Sequence, residues 1–224
     1  KAALLQLIWN QPGVTTDTRA EGGLYVEGIV GPLNTLNPIY ATTAADASVA
    51  KLLFSSLYDY DATGNLRQDI ATNMKIDKDG RVYTVTLRSD VHWSDGELLS
   101  ADDIIFTLDM IKSAAARSPL RVNWVDVDVK EQSANTIVFT LPATYAAFPH
   151  ALTFPILPKH VLEDVSPAML RESTFSQEPV GTGPFVFRRL QAADSLSKHE
   201  VVHMIANQNY YRGEPKLARF ELQV

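Results

Sequence analysis

The sequence predicts a mixed α/β (α+β) domain, and three observations carry that prediction. Two capping-box pairs, Thr43 with Asp46 and Ser100 with Asp103, each stand before an apolar stripe at helical spacing. Several short runs alternate apolar and polar residues as strands do, RVYTVTLR, TIVFTL and ARFELQV most cleanly. The 224 residues are 46% hydrophobic and 21% charged, enough to bury a sizeable core.

The elements follow in order. KAALLQLIW reads either as a short strand or as the last turn of a helix, and residues 1–20 as a whole as an extension or polar linker. LYVEGIVG, from Leu24 to Gly31, is a strand run that weakens at Gly28 and Gly31, where a bend is expected. After LNTLNPIYATT a helix is expected near 44–57, with Val49, Leu52, Leu53, Ser56 and Leu57 on its apolar face. A turn at Gly64 follows. Asp79-Gly80 then joins the Met74–Ile76 run to RVYTVTLR as a hairpin, placing Tyr83, Val85 and Leu87 on one face.

A second helix is expected near 101–115, with Ile104, Leu108 and Ile111 inward and Ile105 widening the stripe. WVDVDVK and TIVFTL read as strands joined by EQSAN. Beyond an irregular stretch, Pro158–Leu162 reads as a helix, and SPAMLRE as another with Ser166 as cap and Pro167 at its first position. PFVFRRL, EVVHMIA and ARFELQV close the chain as strands.

Composition excludes several functions. Twenty Lys and Arg stand against 26 Asp and Glu, a net charge of −6 without a basic block, so a nucleic-acid partner is not expected. With no cysteine there is no disulfide, thiolate-bound zinc, iron–sulfur cluster or cysteine nucleophile. His92, His150, His160, His199 and His203 form no HxxH or HExxH pair, and no GxSxG elbow occurs. GTGP at 181–184 resembles a phosphate loop only superficially, because Pro184 removes a backbone donor. Asp102 and Asp103 fit the first turn of a helix, and Asp126 and Asp128 the wet face of a strand. No catalytic residue, metal ligand or cofactor is read. No window is long and apolar enough for a membrane helix. Neither Met nor a basic-plus-apolar leader stands at Lys1, so a removed signal segment or an excised piece is expected.

The motifs that composition leaves unexplained are LNTLNPIY, DGRVYTVTLRSDVHWSDGELLSADDIIFTL, ILPKH, PVGTGPFVF and NQNYYRGEPKLARFELQV. In this order, over roughly residues 24–224, they resemble the amino-terminal part of the extracellular solute-binding proteins (family 5) of peptide ABC importers. That family takes dipeptides, oligopeptides and, in some members, nickel. The resemblance implies a class II periplasmic-binding-protein-like lobe with an inner mixed sheet and an inserted hairpin-and-helix subdomain. Residues 21–60 and 175–224 would form the inner sheet domain and 61–174 the insertion. ARFELQV would cross toward a second lobe that this chain lacks.

The resemblance also implies a function and its residues. The whole protein would capture peptides or similar solutes outside the membrane and deliver them to ABC permease subunits, without enzymatic activity. It would be periplasmic or a lipoprotein, and monomeric, with weak self-association of the isolated lobe. Tyr40, Ala41, Thr42 and Thr43 follow the family's Leu-Asp-Pro-like motif and would face the ligand, with Asn37 replacing the commoner aspartate before Pro38. Trp93 would be a further candidate ligand contact, though its turn with Asp95 and Gly96 is mainly structural by resemblance. Gly181, Gly183 and Pro184 would be scaffold. A carboxylate-dependent hydrolase, and a lobe repurposed for signalling or surface interaction, are the competing readings. Peptide, nickel chelate and sugar are all compatible with the ligand.

Overall fold

A computed structural model of the chain describes residues 21–193 and 199–224. The expectations for residues 1–20 lie outside the described residues. Strand β1 (Leu24–Gly28) leads through a 3-10 turn at Pro38–Tyr40 into α1 (Ala44–Leu53). The ribbon β2 (Tyr58–Tyr60) and β3 (Leu66–Gln68) precedes β4 (Ala71–Ile76), β5 (Val82–Leu87) and α2 (Ala101–Lys112). Next come β6 (Asp128–Ser133), β7 (Thr136–Thr140) and the single-turn helices α3 (Phe148–Ala151) and α4 (Lys159–Leu162). Strands β8 (Phe185–Gln191), β9 (Val201–Ala206) and β10 (Arg219–Gln223) complete the described elements.

The described strands form two four-stranded sheets and the two-stranded ribbon. One sheet has the order β1-β10-β9-β8 and is mixed: β10 runs parallel to β1, with Tyr25 opposite Phe220, and antiparallel to β9. The other, β4-β5-β7-β6, is antiparallel throughout. Tyr83, Val85 and Leu87 face inward on β5 as their alternation requires, and Ile137 and Phe139 do the same on β7. A single hydrophobic cluster includes these residues, Val49 and Leu53 of α1, Ile104, Leu108 and Ile111 of α2, and Val202 and Leu222 of the mixed sheet. Gly80 has φ +65° in the expected hairpin turn, and Gly64 has φ +82° in the ribbon turn.

Several boundaries differ from the expected ones, each for a local reason. Helix α1 stops at Leu53 and not near residue 57, because Phe54 is extended (φ −127°, ψ 152°). The Gly183 N–H there donates to the Leu53 carbonyl at 2.9 Å, so a distant loop satisfies an acceptor that another helical turn would have used. Leu57 is still buried, but in a bend outside the helix, just before β2. Helix α2 ends at Lys112 and not 115. In the third pair, β6 begins only at Asp128 and runs on through Ser133; Asp126 lies in a turn, and EQSAN is mostly strand. Residues Pro167–Glu172 form a 3-10 helix, and the Ser166 hydroxyl makes no cap bond. The bend in LYVEGIVG comes at Gly31 (φ +132°), whereas Gly28 belongs to β1. The terminal run is an interior strand, covered on both sides by β1 and β9.

Candidate functional site

The LNPIYATT loop is fixed from below by one carboxylate. Asp46, 1% exposed, accepts N–H groups from Asn34 (2.8 Å), Thr35 (3.3 Å), Thr42 (3.1 Å) and Thr43 (3.1 Å). The Thr43 hydroxyl in turn accepts the Asp46 N–H at 3.1 Å, which completes the capping box. Burial pushes the Asp46 carboxyl up, but the four backbone donors outweigh it and hold the group below the usual carboxylate range. Asn37 is fully buried; its Oδ1 accepts from Ile39 and its Nδ2 donates to Ser176 Oγ at 3.1 Å. An ionised aspartate has no donor for that second bond.

Tyr40 turns inward. It is 2% exposed, its hydroxyl donates to the Ala116 carbonyl at 2.8 Å, and the Arg171 guanidinium lies 4.1 Å from its ring centroid. Burial raises the phenol's pKa, and the Arg171 charge partly opposes this. Ala41 and Thr43 are half-buried and Thr42 is exposed, so residues 41–43 are the part of the loop that meets solvent.

Beside Ala41 opens a groove of about 630 Å³ between α1, the ribbon and the 148–155 segment. Phe54, Leu120, Trp124 and Phe154 give it apolar walls, while Lys51, Asp59, Arg67 and Asp69 supply charge. Asp59 pairs with Arg67 at 3.2 Å, directly across the ribbon register. Asp69 accepts the Tyr211 hydroxyl at 2.6 Å and pairs with Arg212 at 2.8 Å. Burial, followed by the Asp69 charge, raises the Tyr211 phenol far above its ordinary value, so it is a hydrogen-bond donor throughout the neutral range. Tyr60 and His150 meet at 2.8 Å on the rim. Sequence reasoning missed these groove residues; the one available signal was that Asp59 and Arg67, of opposite charge, stand on either side of the turn that contains Gly64.

Trp93 does not join this groove. It is 1% exposed inside the WSDG turn, its ring centroid 6.0 Å from that of His160. Its indole N–H lies near the buried Asp103 carboxylate without making a well-formed hydrogen bond. Gly96 (φ +101°) and the Asp95 side chain shape the turn, and Asp95 also contacts His160 at 2.8 Å. Gly181 and Gly183 pack against the end of α1, and Pro184 reaches the groove's edge. Among the described residues, no group of three or more His, Asp or Glu is arranged to hold a metal ion.

A mixed sheet, an antiparallel sheet and a solvent-open groove between elements make this a mixed α/β protein, consistent with a periplasmic-binding-protein-like architecture. The bacterial extracellular solute-binding protein family 5 model matches residues 65–224, and the chain belongs to that family. It is 34% identical over 206 residues to Protein XP55 of Streptomyces lividans, covering 89% of this chain and 35% of XP55. To the oligopeptide-binding protein AppA of Bacillus subtilis it is 29% identical, covering 88% of this chain and 36% of AppA. The fold superposes on AppA in complex with a nonapeptide with a TM-score of 0.83 at 28% identity, covering 91% of this chain and 40% of AppA. On NikZ of Campylobacter jejuni in complex with Ni(L-His) the TM-score is 0.80 at 31% identity, with coverages of 91% and 39%. The chain thus spans about a third of the length of these curated relatives.

Proposed function

We propose that this chain is the amino-terminal lobe of a longer substrate-binding component of an ABC importer. The whole protein captures short peptides or similar solutes outside the cytoplasmic membrane and hands them to permease subunits. It works as a periplasmic protein or a membrane-anchored lipoprotein, and as a monomer. The supporting observation is the family match over residues 65–224, together with the fold shared with the nonapeptide complex. In this reading the lobe is of class II, with residues 21–60 and 175–224 as its inner sheet domain and 61–174 as the insertion.

Residues Ala41–Thr43 and the adjoining groove form one wall of the solute site. Tyr40, buried in the same loop, supports that wall from inside, whereas the buried Trp93 packs in the WSDG turn against His160 and is no ligand contact in this reading. A two-lobed binder gains affinity by enclosing its ligand, so one wall alone binds weakly. The direct test is to reconstitute the full-length protein with the permease and ATPase subunits of its transporter. ATP hydrolysis that rises when a short-peptide mixture is added is the expected result. A rate indifferent to both peptide and binding protein would overturn the reading.

A further inference from the structure

Five arginines among the described residues of this acid-rich chain have polar partners. Arg67, Arg88 and Arg212 pair with carboxylates, and Arg81 and Arg121 donate to backbone carbonyls. Arg171 differs. It is exposed at the end of the Pro167–Glu172 turn, and among the described residues its one recorded contact is the Tyr40 ring, 4.1 Å from the guanidinium carbon. Other arginines without an acidic partner exist among the described residues, but none of those is held over an aromatic ring.

The ring beneath it is immobilised on two sides. The Tyr40 hydroxyl is anchored on the Ala116 carbonyl, and the Ser118 hydroxyl donates to the neighbouring Ile39 carbonyl at 2.8 Å. The turn carrying Arg171 is tied to the same loop, because Ser176 accepts from Asn37 and donates to the Leu170 carbonyl at 3.0 Å. A guanidinium stacked on a fixed ring loses less freedom when it binds, and its N–H fork matches a carboxylate. The stacking uses the face of the cation and leaves the donors at its edge free.

We propose that Arg171, held on Tyr40, is a carboxylate-recognising subsite beside the Ala41–Thr43 loop, so that this wall selects solutes carrying an anionic carboxyl group. This inference rests on the proposed solute-binding reading. Either a peptide carboxy-terminus or an acidic side chain supplies the required chemistry, and the probes separate the two. N-acetyl-Ala-Ala with a free carboxylate, its carboxamide, and N-acetyl-Glu-Ala carboxamide are titrated into the ¹⁵N-labelled chain at low salt. The Arg171 Nε–H and the amides of residues 41–43 are followed.

At least one acid is expected to shift both sets of signals and to bind about tenfold more tightly than the neutral carboxamide, as one charge-assisted hydrogen bond supports. Arg171→Gln removes the preference and Arg171→Lys keeps part of it; the second variant decides the matter if the first fails to fold. Equal affinity for acids and neutral amide, or a preference that survives Arg171→Gln, overturns the inference. If the neutral probe still shifts residues 41–43, the solute-wall reading stands without it. A response at Arg171 with silent loop amides overturns the wall reading instead. Silence everywhere overturns both.

Discussion

The Ser94 N–H donates to the Gly181 carbonyl at 2.8 Å, joining two turns that lie 87 residues apart. From this junction the chain continues directly onto the end of α1. Thr182 is fully buried; its hydroxyl accepts the Ser55 N–H and its carbonyl accepts the Ser55 hydroxyl. Asn207 Nδ2 closes the far side on the Gly183 carbonyl at 2.9 Å. The WSDG and GTGP turns are therefore one structural joint, and that joint sets where α1 ends and the groove begins.

Gly181→Ala is expected to be severely destabilising, because its Cβ would lie 1.8 Å from the Leu53 carbonyl oxygen. Backbone cannot yield as a flexible side chain does, so the loss should be about 3 kcal/mol or more. Gly213→Ala, at φ +95° with open space around it, should cost only about 1–2 kcal/mol. Urea midpoints of the two variants measure the contrast, and similar losses would contradict the joint.

Asp46→Asn should cost about 2–3 kcal/mol at neutral pH, since one of two acceptor oxygens becomes an amide facing N–H donors. The pH dependence has a definite sign. The native Asp46 carboxyl lies below its ordinary value of 3.8, so its contribution is fully present above that pH and fades as pH falls through the native value. The stability gap between wild type and variant should therefore narrow on acidification. Asp103 runs the other way: burial raises its carboxyl despite N–H donors from Ser100 and Lys159, so its linkage favours folding below 3.8 and weakens with rising pH. Denaturation curves at several acidic pH values, with each carboxylate substituted in turn, would separate the two.

Asn37→Asp tests the one departure from the family's motif. The buried amide's donor bond to Ser176 is lost, or Ser176 turns and releases the Leu170 carbonyl. Either outcome removes one buried hydrogen bond, for a loss of about 1–2 kcal/mol. An unchanged melting temperature would show that the Asn37–Ser176 contact carries no weight.

Tyr40→Phe should lose about 1 kcal/mol, by leaving the buried Ala116 carbonyl without its donor, and should weaken carboxylate binding by no more than that, because the ring beneath Arg171 loses one of its anchors. A binding loss larger than the stability loss would mean that the hydroxyl itself reaches the ligand.

Much of this fold was legible because its signals are local. The Thr43–Asp46 box and the Asp79-Gly80 turn need only near neighbours, and the structure contains both. What could not be read depends on distant partners. Nothing between residues 54 and 57 announces a helix end, because the group that ends it is Gly183. Tyr40 looks like a surface aromatic in its own loop and is buried by residues 116 and 171. The Asp69–Arg212 pair spans most of the chain, and no periodicity brings those positions together.

The central claim is that this lobe supplies one wall of a two-walled solute site. Titrating a mixed short-peptide library into the 224-residue chain and into the full-length protein, side by side, tests it most directly. The chain is expected to bind no more tightly than roughly millimolar, with shifts confined to residues 41–43, Arg171 and the groove, and the full-length protein to bind far more tightly. Micromolar binding by the chain alone, or binding by neither form, would contradict it.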